Sequence, residues 1–335
     1  MRKQRHIAII GAGMTGASAA ATLRQHGFMV TVFEKSRGAG GRMSSKRTDY
    51  GPLDLGAQYF TARHTDFVAQ VALWQQAQQV AVWQFDPAVW DGQQLQPSPD
   101  QQLRYVGTPT MNEPVKALLG DTPLHTQCRI ANCQYQQSND SSMQQGQWQL
   151  TSDDGAIYLG FDGLLVTTPL PQAKNLIDVA AVHAIPDALM QPCWALQLVT
   201  SMPLVSDIQG IFVNQGLLRW VSCQSAKPAR QSQPQIWLLH FTAEFTQTHL
   251  DIDVQELKAL GCLELERMLG QPVHVEALVA QRWLYANIND AVAEPGIYTD
   301  LAQQLVVAGD WSFGGRVENA YLAGRQAAQW WIRQE

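Results

Sequence analysis

The chain reads as α/β, with a parallel sheet assembled from both ends of the sequence and interrupted by a second unit on an antiparallel sheet with helices. Three observations predict this. A short apolar strand near the start runs into a glycine-rich turn and a helix, and another near residue 305 does the same. Between them, four apolar runs from 194 to 241 have the spacing of an antiparallel sheet. At 335 residues the chain exceeds one ordinary domain and falls short of three.

The first strand is His6–Ile10, followed at once by Gly11-Ala12-Gly13-Met14-Thr15-Gly16. Residues 17–26 are rich in alanine and end at Gly27, the position where a left-handed cap is wanted. Residues 28–33 form a second strand that ends at Glu34, about twenty residues beyond the first glycines. Strand, GxGxxG, helix, strand and acid in this register make a Rossmann-like dinucleotide site. Gly11 permits the tight turn, Gly13 lets the Met14 and Thr15 amides approach a pyrophosphate, and Gly16 lets helix and strand pack closely. Glu34 is placed to accept from ribose hydroxyls.

A second glycine-rich segment, Glu34-Lys35-Ser36-Arg37-Gly38-Ala39-Gly40-Gly41-Arg42-Met43, adds amide and guanidinium donors for a return across the pyrophosphate. It resembles the extended FAD signature of amine-oxidase-like flavoproteins, which assigns Lys35, Gly41, Arg42 and Met43 to the cofactor. The next segment, Asp54-Leu55-Gly56-Ala57-Gln58-Tyr59-Phe60-Thr61, fits the same superfamily and implies isoalloxazine contacts from Ala57, Gln58 and Tyr59. At the far end the strand 305–308 is followed by Gly309-Asp310 and then Gly314-Gly315-Arg316-Val317-Glu318-Asn319-Ala320. This is the second FAD motif of the class. Gly309, Asp310, Arg316, Val317, Glu318 and Ala320 are its cofactor candidates, with Asp310 directed at ribityl hydroxyls and the helix dipole stabilising negative charge on reduced flavin.

Because the motifs sit at both ends, the flavin domain is discontinuous: 1–60, 105–170 and 281–335 form the Rossmann-like FAD-binding domain of the glutathione-reductase and amine-oxidase type. Residues 61–104 and 171–280 form the inserted substrate domain. Strands near 128–131, 148–150 and 163–169 are expected in the flavin domain, bringing Ile130 and Thr168 to the cofactor. A polar hairpin loop is expected between Gln134 and Gln147. The insert has apolar runs at 194–199, 210–213, 217–221 and 235–241, and an amphipathic helix over 253–269.

A net charge of −6 and a pI near 5.7 exclude a general nucleic-acid or anionic-membrane binder, so an anionic ligand must be met by local donors. The five cysteines are odd in number, widely spaced and without CxxC, which argues against a disulfide framework or zinc site and predicts no metal. The basic start precedes only four apolar residues, too few for a signal peptide, and no stretch approaches a membrane span. A cytoplasmic protein, monomeric or dimeric, is the expectation.

Along nearly its whole length the chain resembles the renalase-like flavoproteins of bacteria, a short branch of the amine-oxidase superfamily. The matching text includes the 54–61 segment, Arg104-Tyr105-Val106-Gly107 with Met111, Cys193-Trp194-Ala195-Leu196, Lys227-Pro228-Ala229-Arg230, Leu239-His240, Trp283-Leu284-Tyr285-Ala286 and Gly315-Arg316-Val317-Glu318. It departs at Cys223 and Gln224, where the family has a basic residue and Asn, and at Ala229, Phe245 and Asn319, where it has Gly, Trp and Gly. The resemblance implies non-covalent FAD and oxidation of 2- and 6-dihydro isomers of NAD(P)H to NAD(P)+, with O2 reoxidising the flavin to give hydrogen peroxide. The implied partners are thus a small-molecule dinucleotide and O2.

Hydride loss from a dihydropyridine leaves an aromatic cation, so the carbon centre needs no base; positioning within roughly 3–3.5 Å and exclusion of water are the requirements. Tyr59, Trp194, Trp283 and Tyr285 are the candidate aromatic walls, each with core packing as its alternative. Gln58 is a candidate for the flavin edge or a carboxamide, and His240 for substrate contact or the core. Lys227 and Arg230 are candidates for substrate phosphates, or else a solvated turn. The strand over 192–199 contains no lysine, unlike the amine oxidases, which weakens the alternative of an oxidase of small amines. A flavin-binding redox protein without turnover is the further alternative.

Overall fold

The computed structural model describes residues 4–137 and 146–335. Most of the hairpin loop expected between Gln134 and Gln147 therefore lies outside the described residues. The first sheet has six strands in the order Tyr298–Asp300, Leu305–Val307, Gly163–Val166, His6–Ile10, Met29–Phe33, Leu124–His125. All neighbours pair in parallel except Tyr298–Asp300, which is antiparallel to Leu305–Val307. Parallel strands are covered on both faces and so carry unbroken apolar runs. Ile7, Ala8 and Ile9 are accordingly all fully buried.

Side chains alternate between the faces of that sheet. Ile7 and Ile9 join a core with the helices Met14–Gln25 and Val317–Ile332, whereas Ala8 and Ile10 join another with Ile130, Trp148 and Leu150. The two helices touch at the backbone: a Cβ on Gly324 would stand 2.2 Å from the Thr15 carbonyl oxygen. The strands expected near 128–131 and 148–150 do not join the parallel sheet. Ile130–Gln136, Gln147–Ser152 and Ile157–Phe161 form a separate antiparallel sheet whose apolar side packs on it.

The larger sheet runs Val275–Ile288, Met190–Thr200, Ile236–Phe241, Leu218–Cys223, Gly210–Val213, Ala88–Trp90, Leu95–Pro97. The helix Val254–Leu269 covers one side through Leu257 and Leu265, which cluster with Leu196, Leu198 and Leu239. It is capped by Asp253, which accepts from the Gln255 and Glu256 amides, and ends at left-handed Gly270, as the 253–269 pattern predicts. Residue 281, expected as a boundary, lies inside the continuous strand Val275–Ile288, which pairs with Met190–Thr200 from end to end. The 61–104 segment is divided: Thr65–Gln76 packs into the core of the first sheet through Phe67, Val71 and Trp74, while Ala88–Trp90 joins the larger sheet. Among the described residues no helix is long and apolar enough to cross a membrane.

Candidate active site

A cavity of about 2100 Å³ lies between the two sheets. Pockets for one small ligand occupy roughly 300–1,000 Å³, so this one has room for two. Of the residues expected at the cofactor, Gly11, Gly13, Met14, Thr15, Glu34, Lys35, Gly41, Arg42, Met43, Ala57, Gln58, Tyr59, Ile130, Thr168, Asp310, Arg316, Val317 and Ala320 stand on its wall.

Local geometry explains that wall. Gly11 has φ +108°, and a Cβ there would lie 2.6 Å from Thr167 Oγ1. Gly16 is off the cavity and serves packing, since its Cβ would stand 2.0 Å from the Gly11 carbonyl oxygen. A Cβ on Gly13, by contrast, would meet no protein atom. Neither helix that begins at the cavity has a side-chain cap, so the first amides of Met14–Gln25 and Val317–Ile332 retain donor capacity. The Glu34 carboxylate accepts from the Ala12 amide at 2.9 Å and the Ser36 amide at 2.8 Å, which fixes its orientation and leaves lone pairs over. Arg42 and Asp310, from opposite ends of the chain, form a two-point ion pair at 2.9 and 2.5 Å.

Gly309 and Glu318 do not line the cavity. The Trp311 indole fills the space beside Gly309, and Glu318 is buried, its carboxylate accepting from the Arg63 and His64 amides at 2.7 Å each. Glu318 therefore fixes the turn before Thr65–Gln76.

The opposite wall comes from the larger sheet and includes Cys193, Phe212, Arg219, Trp220, His240, Trp283 and Tyr285. Trp283 Nε1 donates to the Leu55 carbonyl at 3.1 Å, and His240 Nε2 bonds the same oxygen at 3.1 Å. Burial pulls the His240 pKa down to about 4, so the ring is neutral at pH 7 and donates that bond. Burial likewise raises the Tyr59 phenol, against the nearby Arg104 charge, and the Tyr59 ring meets Trp220 edge-on at 5.4 Å. Phe212, Arg219 and Trp220 are wall residues that sequence reading missed. Alternation along Leu218–Cys223 could not have shown both Arg219 and Trp220, since it sends neighbours to opposite faces; a register shift between Leu218 and Trp220 breaks it, and both residues meet the cavity.

Four expected site residues have other work. Trp194 follows Cys193 in a strand and so takes the other face; its indole donates to the His249 carbonyl at 2.9 Å beside a separate groove. Lys227 and Arg230 are buried rather than open to phosphates or solvated in a turn, and both pair with Asp54 Oδ2, at 3.2 and 2.9 Å. Gln58 reaches the wall, but its amide donates to the Asp54 and Gly56 carbonyls and accepts from Lys227 and Ser222. Both donors and the acceptor are engaged, leaving no amide donor for a cofactor or carboxamide.

The profile of the flavin-containing amine oxidoreductases matches residues 100–330, and that of an NAD(P)-binding Rossmann-like domain matches residues 9–72. The chain belongs to the flavin-containing amine oxidoreductase family. Its cofactor is FAD. This flavoprotein is similar to a candidate protoporphyrinogen oxidase from Exiguobacterium sp. 255-15, with TM-score 0.77 at 11% identity over 99% of this chain and 100% of the other. A wild-type putrescine oxidase bound to putrescine gives TM-score 0.69 at 12% identity over 99% of each chain. At such identities the likeness concerns the fold. A 4,4'-diapophytoene desaturase of Staphylococcus haemolyticus is 50% identical over 50 residues, which are 15% of this chain and only 10% of the desaturase.

The residues fit FAD. Uncapped helix ends suit a pyrophosphate, the Gly13 position leaves room where a side chain would intrude, and Glu34 is held ready for hydroxyl donors. Thr168 Oγ1 and Asn287 Nδ2, one from each side of the cavity, are buried without a hydrogen-bond partner among the described residues, and a ligand would satisfy them.

Proposed function

We propose that the protein is an FAD-dependent oxidase of isomeric dihydronicotinamide dinucleotides, the 2- or 6-dihydro forms of NAD(P), giving NAD(P)+ and hydrogen peroxide. The overall balance is one dihydronicotinamide, one O2 and one proton to one NAD(P)+ and one H2O2. FAD supplies the two-electron acceptor. The observation that carries this reading is the larger-sheet wall: aromatic rings from Phe212, Trp220, Trp283 and Tyr285, and no carboxylate among those side chains to hold an ammonium group.

Elsewhere on the wall the carboxylates are mostly engaged. Glu34 binds backbone amides, Asp100 pairs with Arg104 at 2.8 Å, Asp310 pairs with Arg42, and Asp290 is exposed in the turn after Val275–Ile288. A cationic amine would thus enter a site without an obvious counter-charge, whereas a flat dihydropyridine is suited to aromatic walls. The protein's part is to orient the ring and exclude water. Trp283 is held for that by its bond to Leu55, and neutral His240 adds no charge beside the pyridinium that forms. Steady-state peroxide production with 2- and 6-dihydro-NAD(P), set against putrescine and other small amines, tests this. The expected result is turnover with the dihydronicotinamides; turnover with amines alone would overturn it, and no turnover with any donor would favour a non-catalytic flavin protein.

A further inference from the structure

Arg219 lies on the strand Leu218–Cys223, exposed and on the cavity wall. Among the described residues it has no ion-pair or hydrogen-bond partner. Arg37, Lys46, Arg47 and Arg316 on the cavity likewise lack such a partner among the described residues but lie outside the larger sheet, and the remaining wall arginines near it are engaged. Arg282 is tied to Asp251 at 2.5 Å and to the Leu250 carbonyl, Arg63 to Gln102, and Arg42 to Asp310. The Arg219 charge favours the deprotonated forms of Tyr59, Cys193 and His240, all of them on this wall, so the guanidinium stands close to the space they enclose.

A second observation is independent of that charge. Trp220, only 6% exposed and on the same wall, has an indole Nε1–H with no acceptor among the described residues. An unmatched cation and an unmatched neutral donor on one wall call for a ligand that brings acceptors and negative charge. Lys227 and Arg230, the other cations the sequence offers for such a ligand, are consumed by Asp54.

We propose that Arg219 is the anion subsite of the second ligand, binding a phosphate of the dinucleotide; this rests on the reading given under Proposed function. Phosphate oxygens match the planar donor fork of a guanidinium, and an exposed arginine can engage them without the loss of an existing partner.

The test titrates the FAD-loaded enzyme with ADP-ribose, an anionic dinucleotide fragment that cannot give up a hydride, and follows the flavin absorbance. Arg219→Gln should weaken binding by about tenfold to a hundredfold and flatten the rise of Kd with salt. Arg219→Lys should recover part of the affinity. Equal FAD content and flavin spectra in the three proteins confirm intact folds. Equal Kd in wild type and Arg219→Gln, or no ADP-ribose binding by wild type, would overturn the subsite. If ADP-ribose binding depends on Arg219 while no dihydronicotinamide reduces the flavin, the subsite stands and the proposed reaction falls; the reverse pattern sinks only the subsite.

Discussion

Asp54, Lys227 and Arg230 place two cations and one anion in the interior, with side-chain exposures of 1%, 0% and 3%. Asp54 is held at about 2 despite burial, because Lys227 and Arg230 outweigh desolvation, while burial pulls Lys227 down to about 8. Removing the anion strands both cations. Asp54→Asn should therefore cost about 3–5 kcal/mol in urea unfolding, and a loss under 1 kcal/mol would show the cluster is dispensable. The cluster was illegible in the sequence because its members are 173 and 176 positions apart, and a Lys-Pro-Ala-Arg segment reads locally as a polar turn.

His240 carries a pH prediction. The folded protein resists, down to about pH 4, a protonation that the unfolded chain accepts near 6.5. The unfolded state binds more protons in that window, so this contribution to stability is complete above pH 6.5 and is lost as pH falls toward 4. Ring-nitrogen NMR should find His240 neutral at pH 5.5. An imidazolium signal at that pH would place the ring in a wetter or more acidic setting than its bond to Leu55 implies.

At the scale of elements, the two glycines of the first turn separate packing from ligand space. Gly16→Ala drives a methyl into the Gly11 carbonyl 2.0 Å away, so it should lower the Tm of the apoprotein and abolish FAD binding together. Gly13→Ala meets no protein atom, and the backbone there has φ −81°, so the apoprotein should keep its Tm while FAD affinity falls. Equal losses of apoprotein stability in the two variants would contradict this division.

These elements were the most legible part of the chain, because strand, turn and helix signals lie within about twenty residues of one another. The larger sheet was legible as apolar runs and is antiparallel as expected except where Gly210–Val213 pairs in parallel with Ala88–Trp90. Its orientation was not: one residue of phase sends Trp194 to the far side and Cys193 to the cavity, and no local signal sets that phase. The strands Ile130–Gln136 and Gln147–Ser152 were legible as the two sides of a hairpin and do pair with each other, whereas the third strand of that sheet, Ile157–Phe161, was not legible.

Across the whole molecule, the parallel sheet needs Gly163–Val166 and Leu305–Val307 beside His6–Ile10, so distant segments of the chain complete one sheet and one cavity. The Arg42–Asp310 pair joins the two glycine motifs across 268 positions, which is why neither alone marks out the site. The larger sheet closes the other side with aromatic walls and an unmatched Arg219. On this account the cavity admits an anionic dihydropyridine in preference to an amine. Anaerobic mixing of the FAD-loaded enzyme with a donor panel tests that most directly: bleaching of the flavin by 2- or 6-dihydro-NAD(P) and not by amines is the predicted result, and bleaching by amines with none by the dihydronicotinamides would contradict it.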